Sequence, residues 1–214
     1  MKQINLQKNV WRVLVILLLT VMQVPCFAKD FSKKKNVWRV GIGMDVNKVK
    51  IDDFNKTKCG FTFDIGYNYY FQESHTLGLE TGFAGDYTRL ESDKESGNYN
   101  MQWCEIPLRL VVSTKTFSEG EDLRLEFFAG PQYNFWRRTS IETSAANGKK
   151  STKMVKFSEQ GLKDSDISFA AGTRLVYDNF CFSISYLFPH ELGNEEETKG
   201  SKIGTFRIGF GLRL

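Results

Sequence analysis

Three features of this chain predict an all-β fold, an eight-stranded antiparallel up-and-down transmembrane β-barrel. Polarity alternates with period two over eight segments, one face is apolar while the other carries charges and glycines, and the connections are alternately short and long. Composition narrows the field first. The 214 residues include 14% aromatic and 25% charged side chains, with 18 Gly and only 4 Pro, which fits one folded domain and excludes disorder. A bundle of membrane-spanning helices is excluded too, since each would need about 20 consecutive apolar residues.

The chain opens with Lys2, Lys8 and Arg12, then an apolar run from Val13 to Val24 and a Pro25-Cys26-Phe27-Ala28 cleavage site. This predicts a secretory signal peptide over 1–28, a short periplasmic linker over 29–36 and a barrel domain over 37–214. A lipoprotein with Cys26 acylated is the rival, and Pro25 fits it poorly. Removing the signal leaves 26 basic against 25 acidic side chains, so the +4 of the whole chain belongs mostly to the leader. Nucleic-acid binding needs a concentrated basic face and is not expected. Cys59, Cys104 and Cys181 remain, an odd number without CxxC spacing, which argues against a disulfide framework or a zinc site.

The first segment sets Trp38, Val40, Ile42, Met44 and Val46 against Arg39, Gly41, Gly43 and Asp45. Phe61 to Tyr69 then alternate with Thr62, Asp64, Gly66 and Asn68, and Leu77 to Tyr87 with Gly78, Glu80, Gly82, Ala84 and Asp86. In the fourth, Cys104, Ile106, Leu108, Leu110 and Val112 oppose Glu105, Pro107, Arg109 and Val111. The fifth places Leu123, Leu125, Phe127, Ala129, Tyr133 and Phe135 opposite Arg124, Glu126, Gly130, Gln132 and Asn134, with Pro131 interrupting its donors. Ile167 to Tyr177 oppose Ser168, Ala170, Gly172 and Arg174, and Asp178-Asn179 predicts a hairpin turn into Phe180, Phe182, Ile184, Tyr186 and Phe188. The last segment alternates Phe206, Ile208, Phe210, Leu212 and Leu214 with Thr205, Arg207, Gly209, Gly211 and Arg213. Residues 138–164 lack an apolar period and are expected to be a loop.

In a narrow eight-stranded barrel the charged face fills the interior. Arg39, Asp64, Glu80, Glu105, Arg109, Arg124, Glu126, Arg174 and Arg207 are expected to pair there as a plug, leaving no diffusion channel. Trp38, Tyr69, Tyr87, Trp103, Trp136, Tyr177 and Tyr186 fall near strand ends and are expected to form aromatic girdles at the two interfaces. A soluble lipocalin-like barrel, apolar face inward around a ligand, shares the periodicity and is the structural rival.

The stretch Trp103-Cys-Glu-Ile-Pro-Leu-Arg-Leu resembles the EIPL strand of the PorT-like and OmpX-like outer-membrane barrels of Gram-negative bacteria, and Phe127-Phe-Ala-Gly-Pro-Gln-Tyr resembles their following GP strand. The segments beginning at Asp166 and Phe206 extend the likeness. The resemblance implies a monomer in the cell outer membrane, in contact with outer-membrane lipid and lipopolysaccharide. It also implies insertion by the barrel-assembly machinery through a terminal signal, which Gly209, Leu212 and Leu214 fit, and an envelope or secretion protein as partner.

Catalysis is sought and not found, and no cofactor is implied. A lipid A-modifying barrel enzyme would need a nucleophile and a base within hydrogen-bond reach. Only His75 and His190 are available, and the best assembly is His190 oriented by Glu191 beside Ser183 or Ser185. The glycines of 41–43 and 209–211 precede no helix, so they read as room inside the barrel rather than a phosphate loop. Arg137, Arg138, Lys149, Lys150, Lys153 and Lys156 could meet lipopolysaccharide phosphates, and Glu195, Glu196 and Glu197 a divalent cation.

Overall fold

A computed structural model describes residues 34–51, 54–72, 74–91, 98–114, 122–144 and 150–214. The expected signal peptide and most of the linker lie outside the described residues. Among the described residues nine strands follow one another: β1 (Asn36–Ile51), β2 (Phe54–Tyr70), β3 (Leu77–Glu91), β4 (Asn98–Ser113), β5 (Leu123–Ser144), β6 (Lys150–Lys156), β7 (Asp166–Tyr177), β8 (Phe180–Glu191) and β9 (Lys202–Arg213). Eight close a ring in the order β1-β2-β3-β4-β5-β7-β8-β9, every pair antiparallel, with β9 returning to β1. At that seam Gly41 faces Gly211 and Gly43 faces Gly209.

The ninth strand corrects the expectation of a loop over 138–164. β6 pairs with the upper part of β5, from Arg138 opposite Lys156 to Ser144 opposite Lys150. The lower part of β5 pairs with β7 instead. The hairpin has no apolar period because it stands beyond the apolar band, where its outer face meets water. Among the described side chains of β6, only Val155 is buried. A bulge marks the transition: Trp136 and Arg137 together oppose Trp103, and Trp136 adopts a left-handed φ of 52°.

At 12 to 22 residues, the ring strands exceed the roughly 9 to 11 needed to cross a bilayer. Their alternation sorts the side chains by face. Met44, Leu108 and Ile167 point outward, the last 72% exposed, and an unbroken belt of Phe, Leu, Ile and Tyr surrounds the barrel. A water-soluble protein does not expose such a belt. The interior is polar, so the lipocalin-like reading is inside out. Asp178 takes the left-handed conformation, φ 49°, that the two-residue β7–β8 turn demands.

Two buried apolar clusters stopper the ends. Val37, Tyr70, Val111 and Phe128 lie toward the short turns, and Val49, Met101, Trp103, Phe157, Leu162, Leu192 and Ile203 toward the long loops.

Candidate functional site: a filled lumen under a covered mouth

Arg39, Asp64, Glu80, Glu105, Arg109, Arg124, Glu126, Arg174 and Arg207 stand on the strand faces turned away from the apolar belt, in two separate ion clusters. Alternation on β1, β2, β3, β4, β5, β7 and β9 delivers the lower cluster. Glu80 receives Arg174 at 2.5 Å and Arg109 at 3.1 Å, with Arg39 at 3.8 Å. Arg174 also reaches Glu126 at 3.0 Å, which Arg124 approaches at 3.2 Å and the Tyr70 hydroxyl donates to at 2.5 Å. Arg39 closes one end on Asp64 at 2.7 Å, while Asp122 accepts from Arg124 and Arg213 at the other. Gly66 opposes Arg39 across the β1–β2 pair, and a Cβ there would stand 2.9 Å from the guanidinium, so a side chain would compete for the arginine's place.

The upper cluster inverts the stoichiometry. Arg207 from β9 alone serves Asp45 at 2.8 Å, Glu105 at 3.2 Å and Asp86. The Thr62 hydroxyl, which has one proton to give, lies against both Asp45 and Asp86, and the other Asp86 oxygen is buried without a partner. Every one of these carboxylates is shut from solvent.

Above them the mouth is covered. The link from β6 to β7 carries a 3-10 turn, Phe157–Gln160, and the link from β8 to β9 another, Glu196–Thr198. Leu162 bridges Gly193 in antiparallel fashion, Lys163 N–H donates to Leu192 at 2.7 Å, and Asn194 N–H to Gly161 at 2.9 Å. The joined links push Phe157, Leu162 and Leu192 down onto Trp103, Met101 and Ile203. A cavity of about 10 Å³ is left beneath, bounded by Arg137 and His190 as well, roughly the room of one water. Hydrogen bonds from Ser158 hold the Asp164 carboxyl in this cover below its usual range.

Several expectations are corrected here. Trp103 is not a girdle residue: it is 5% exposed, points into the lumen and donates from Nε1 to Glu105 at 2.9 Å. Trp38, Tyr69, Trp136, Tyr177 and Tyr186 do face outward, and Tyr87 is half-buried against Phe61. Tyr70, next to the girdle residue Tyr69, is inside. Arg137 is no loop cation, because the bulge turns it inward onto Asp166 at 2.6 Å. His190 is oriented by Asp166 at 3.3 Å and Arg137 at 3.1 Å, not by Glu191, which accepts from Gly200 N–H. Its other ring nitrogen lies 3.3 Å from the Phe188 carbonyl. Ser183 lies against the Gly209 carbonyl, so no serine hydroxyl among the described residues bonds the imidazole.

His75 is buried at the turn end, stacked on Tyr70 at 4.2 Å, with Nε2 2.5 Å from the Lys34 carbonyl. Burial, and then the nearby Arg124 charge, lower its pKa to about 4. Glu195 and Glu196 are exposed, Glu196 pairing with Lys199 at 3.4 Å, and the side chain of Glu197 lies outside the described residues, as does Lys149. Among the described residues no three His, Cys, Asp or Glu side chains are placed to share a metal ion. Cys59, Cys104 and Cys181 are unpaired thiols.

The sequence signal for Arg137 was weak because the bulge at Trp136 shifts the alternation by one residue and reverses the face, whereas Asp166 and Tyr70 keep the inward parity of their strands.

Among solved structures, the chain is similar to Ail, the attachment invasion locus protein of Yersinia pestis, solved in complex with the heparin analogue sucrose octasulfate. Identity is 18% over 85% of this chain and 100% of that one, with a TM-score of 0.49. Neisserial surface protein A matches at 12% identity over 82% and 96% of the two chains, TM-score 0.49. The outer membrane enzyme PagL matches at 10% identity over 81% and 97%, TM-score 0.44. No curated protein matches. The profile of one family, described as the outer membrane protein beta-barrel domain, matches residues 14–213. With nearly the whole sequence inside that profile and a ring of strands wrapped in apolar side chains, the chain belongs to the outer membrane protein beta-barrel domain family, and its place is the cell outer membrane.

Proposed function

We propose that this barrel is a non-enzymatic structural or interaction protein. Its lumen conducts nothing, and its extracellular part, the β5–β6 hairpin with the two bridged links, makes the recognising contacts. The observation that carries this reading is the continuity of the filling: two ion clusters with an apolar stopper at each end. Reconstituted into a planar bilayer, the mature protein is expected to give no unit conductance steps; regular steps would overturn the reading.

An acyl-transferring or deacylating activity finds little support at His190, whose two ring nitrogens face Arg137 and the Phe188 carbonyl. Lipid A mass spectra are expected to be unchanged by His190→Ala and by deletion of the gene. The EIPL and GP segments favour the PorT-like branch, with an envelope or secretion protein as partner. Residues 1–28 read as a cleaved signal, and Gly209, Leu212 and Leu214 as the segment read by the barrel-assembly machinery. Lipopolysaccharide is the expected lipid neighbour, with the protein a monomer within it.

A further inference from the structure

The outward apolar series ends at Val46 on β1 and at Phe206 on β9. Beyond it the outward side chains are Lys48 and Lys50 on β1 and Lys202 on β9, all exposed. Lys50 and Lys202 are register partners across the closing seam. Directly opposed residues on one face bring their Cβ atoms to about 5 Å, and like charges so placed destabilise the pair. Neither ammonium has an ion pair among the described residues. The nearest carboxylate by register is Glu191, opposite Lys202 on the other side, and its Oε1 accepts from Gly200 N–H at 3.3 Å. Half-buried Arg138, on β5, is differently employed: it lies over the Trp136 ring at 6.0 Å.

Height along the strand identifies what these lysines meet. Lys48 stands about 7 Å and Lys50 about 13 Å beyond Val46 at roughly 3.3 Å per residue, less after strand tilt, and a lysine stem can bend back toward the membrane. That is headgroup depth. A phosphate monoester offers close to two negative charges and three acceptor oxygens, the complement of two facing ammonium groups and a third one turn of the pleat below.

We infer that Lys48, Lys50 and Lys202 form a binding patch for a phosphate of an outer-leaflet glycolipid, at the β1–β9 seam. This rests on the outer-membrane reading above and names its lipid contact. The test places the mature protein in phosphatidylethanolamine vesicles doped with bis-phosphorylated lipid A or with lipid A stripped of phosphate. The readouts are the lipid A retained after detergent extraction and the temperature at which the folded gel band is lost.

Wild-type protein is expected to retain the phosphorylated lipid and to melt higher with it. The double variant Lys50→Gln/Lys202→Gln should retain about tenfold less, and Lys48→Gln added to it less again. Arg138→Gln should behave as wild type, and dephosphorylated lipid A should not distinguish any of them. Equal retention of phosphorylated lipid A by wild type and the double variant overturns the inference. So does displacement of the lipid by millimolar inorganic phosphate alone, which would make this a free-anion site. A protein that folds in the vesicles yet ignores lipid A sinks only the patch; one that shows no heat-modifiable band there sinks the outer-membrane reading as well.

Discussion

The two halves of the lumen solve the same problem with opposite ratios of charge. In the lower half four carboxylates, Asp64, Glu80, Asp122 and Glu126, are strung between five arginines, so that every acid has at least one guanidinium within 3.2 Å. In the upper half one guanidinium, that of Arg207, holds three acids. Buried ion pairs are weak contributors when whole and costly when broken, because the surviving partner is left charged and dry. The lower half is therefore redundant and the upper half depends on a single residue.

Substitutions can break this contrast. Arg207→Met should be the most damaging change, costing about 5 kcal/mol or more, since it strands three carboxylates at once. Folding into detergent micelles, followed by heat-modifiable gel mobility, should show little native band. Glu80→Gln strands three arginines, but each keeps another acceptor or a partial one, so a loss of about 3 kcal/mol with a surviving native band is expected. A Glu80 variant as damaged as the Arg207 variant would refute the redundancy of the lower half.

Acidity sharpens the comparison at the turn end. An unfolded histidine takes up its proton below about 6.5, and His75 in the folded barrel only below about 4. Between those values the folded state binds fewer protons, so stability falls as the pH drops through that window, by an amount of order 3 kcal/mol. His75→Asn should flatten that limb of a melting-temperature profile; an unchanged profile would remove His75 from the account. The smallest effect belongs to Asp86→Asn. It deletes one acid of an over-supplied group and an oxygen with no partner, so a gain of about 1 kcal/mol is expected, read as a higher loss temperature of the folded band.

The faces of the strands were legible wherever lipid sits on one side. Over Trp38 to Val46 or Phe206 to Leu212, hydrocarbon demands an apolar residue at every second position and the lumen a polar or small one, and the alternation states both. Legibility stopped at the height where lipid stops. β6 has no greasy face because water bathes it, and Lys150 to Lys156 therefore read as a loop. Arg137 was misassigned because a bulge inserts one residue in β5 against β4, and no local pattern announces it; Trp103 shares the inward parity of Glu105, and its place near a strand end, not the alternation, suggested a girdle. The cover over the mouth depends on Leu162 meeting Gly193, a pairing between two links that no spacing rule connects. His190 found Asp166 on the adjacent strand β7 rather than its neighbour Glu191, because adjacent residues on a strand point to opposite sides.

The glycine-facing-glycine pairs where β9 meets β1 carry a consequence for biogenesis. Until Leu212 lies against Val40, the growing sheet is an open ribbon with two unsatisfied borders, joined by contacts between the most distant parts of the sequence, which are the slowest to form. A chain cut before Lys202 would thus lose more than one strand in eight: it would keep two sticky margins, and aggregation rather than a smaller pore would be its fate.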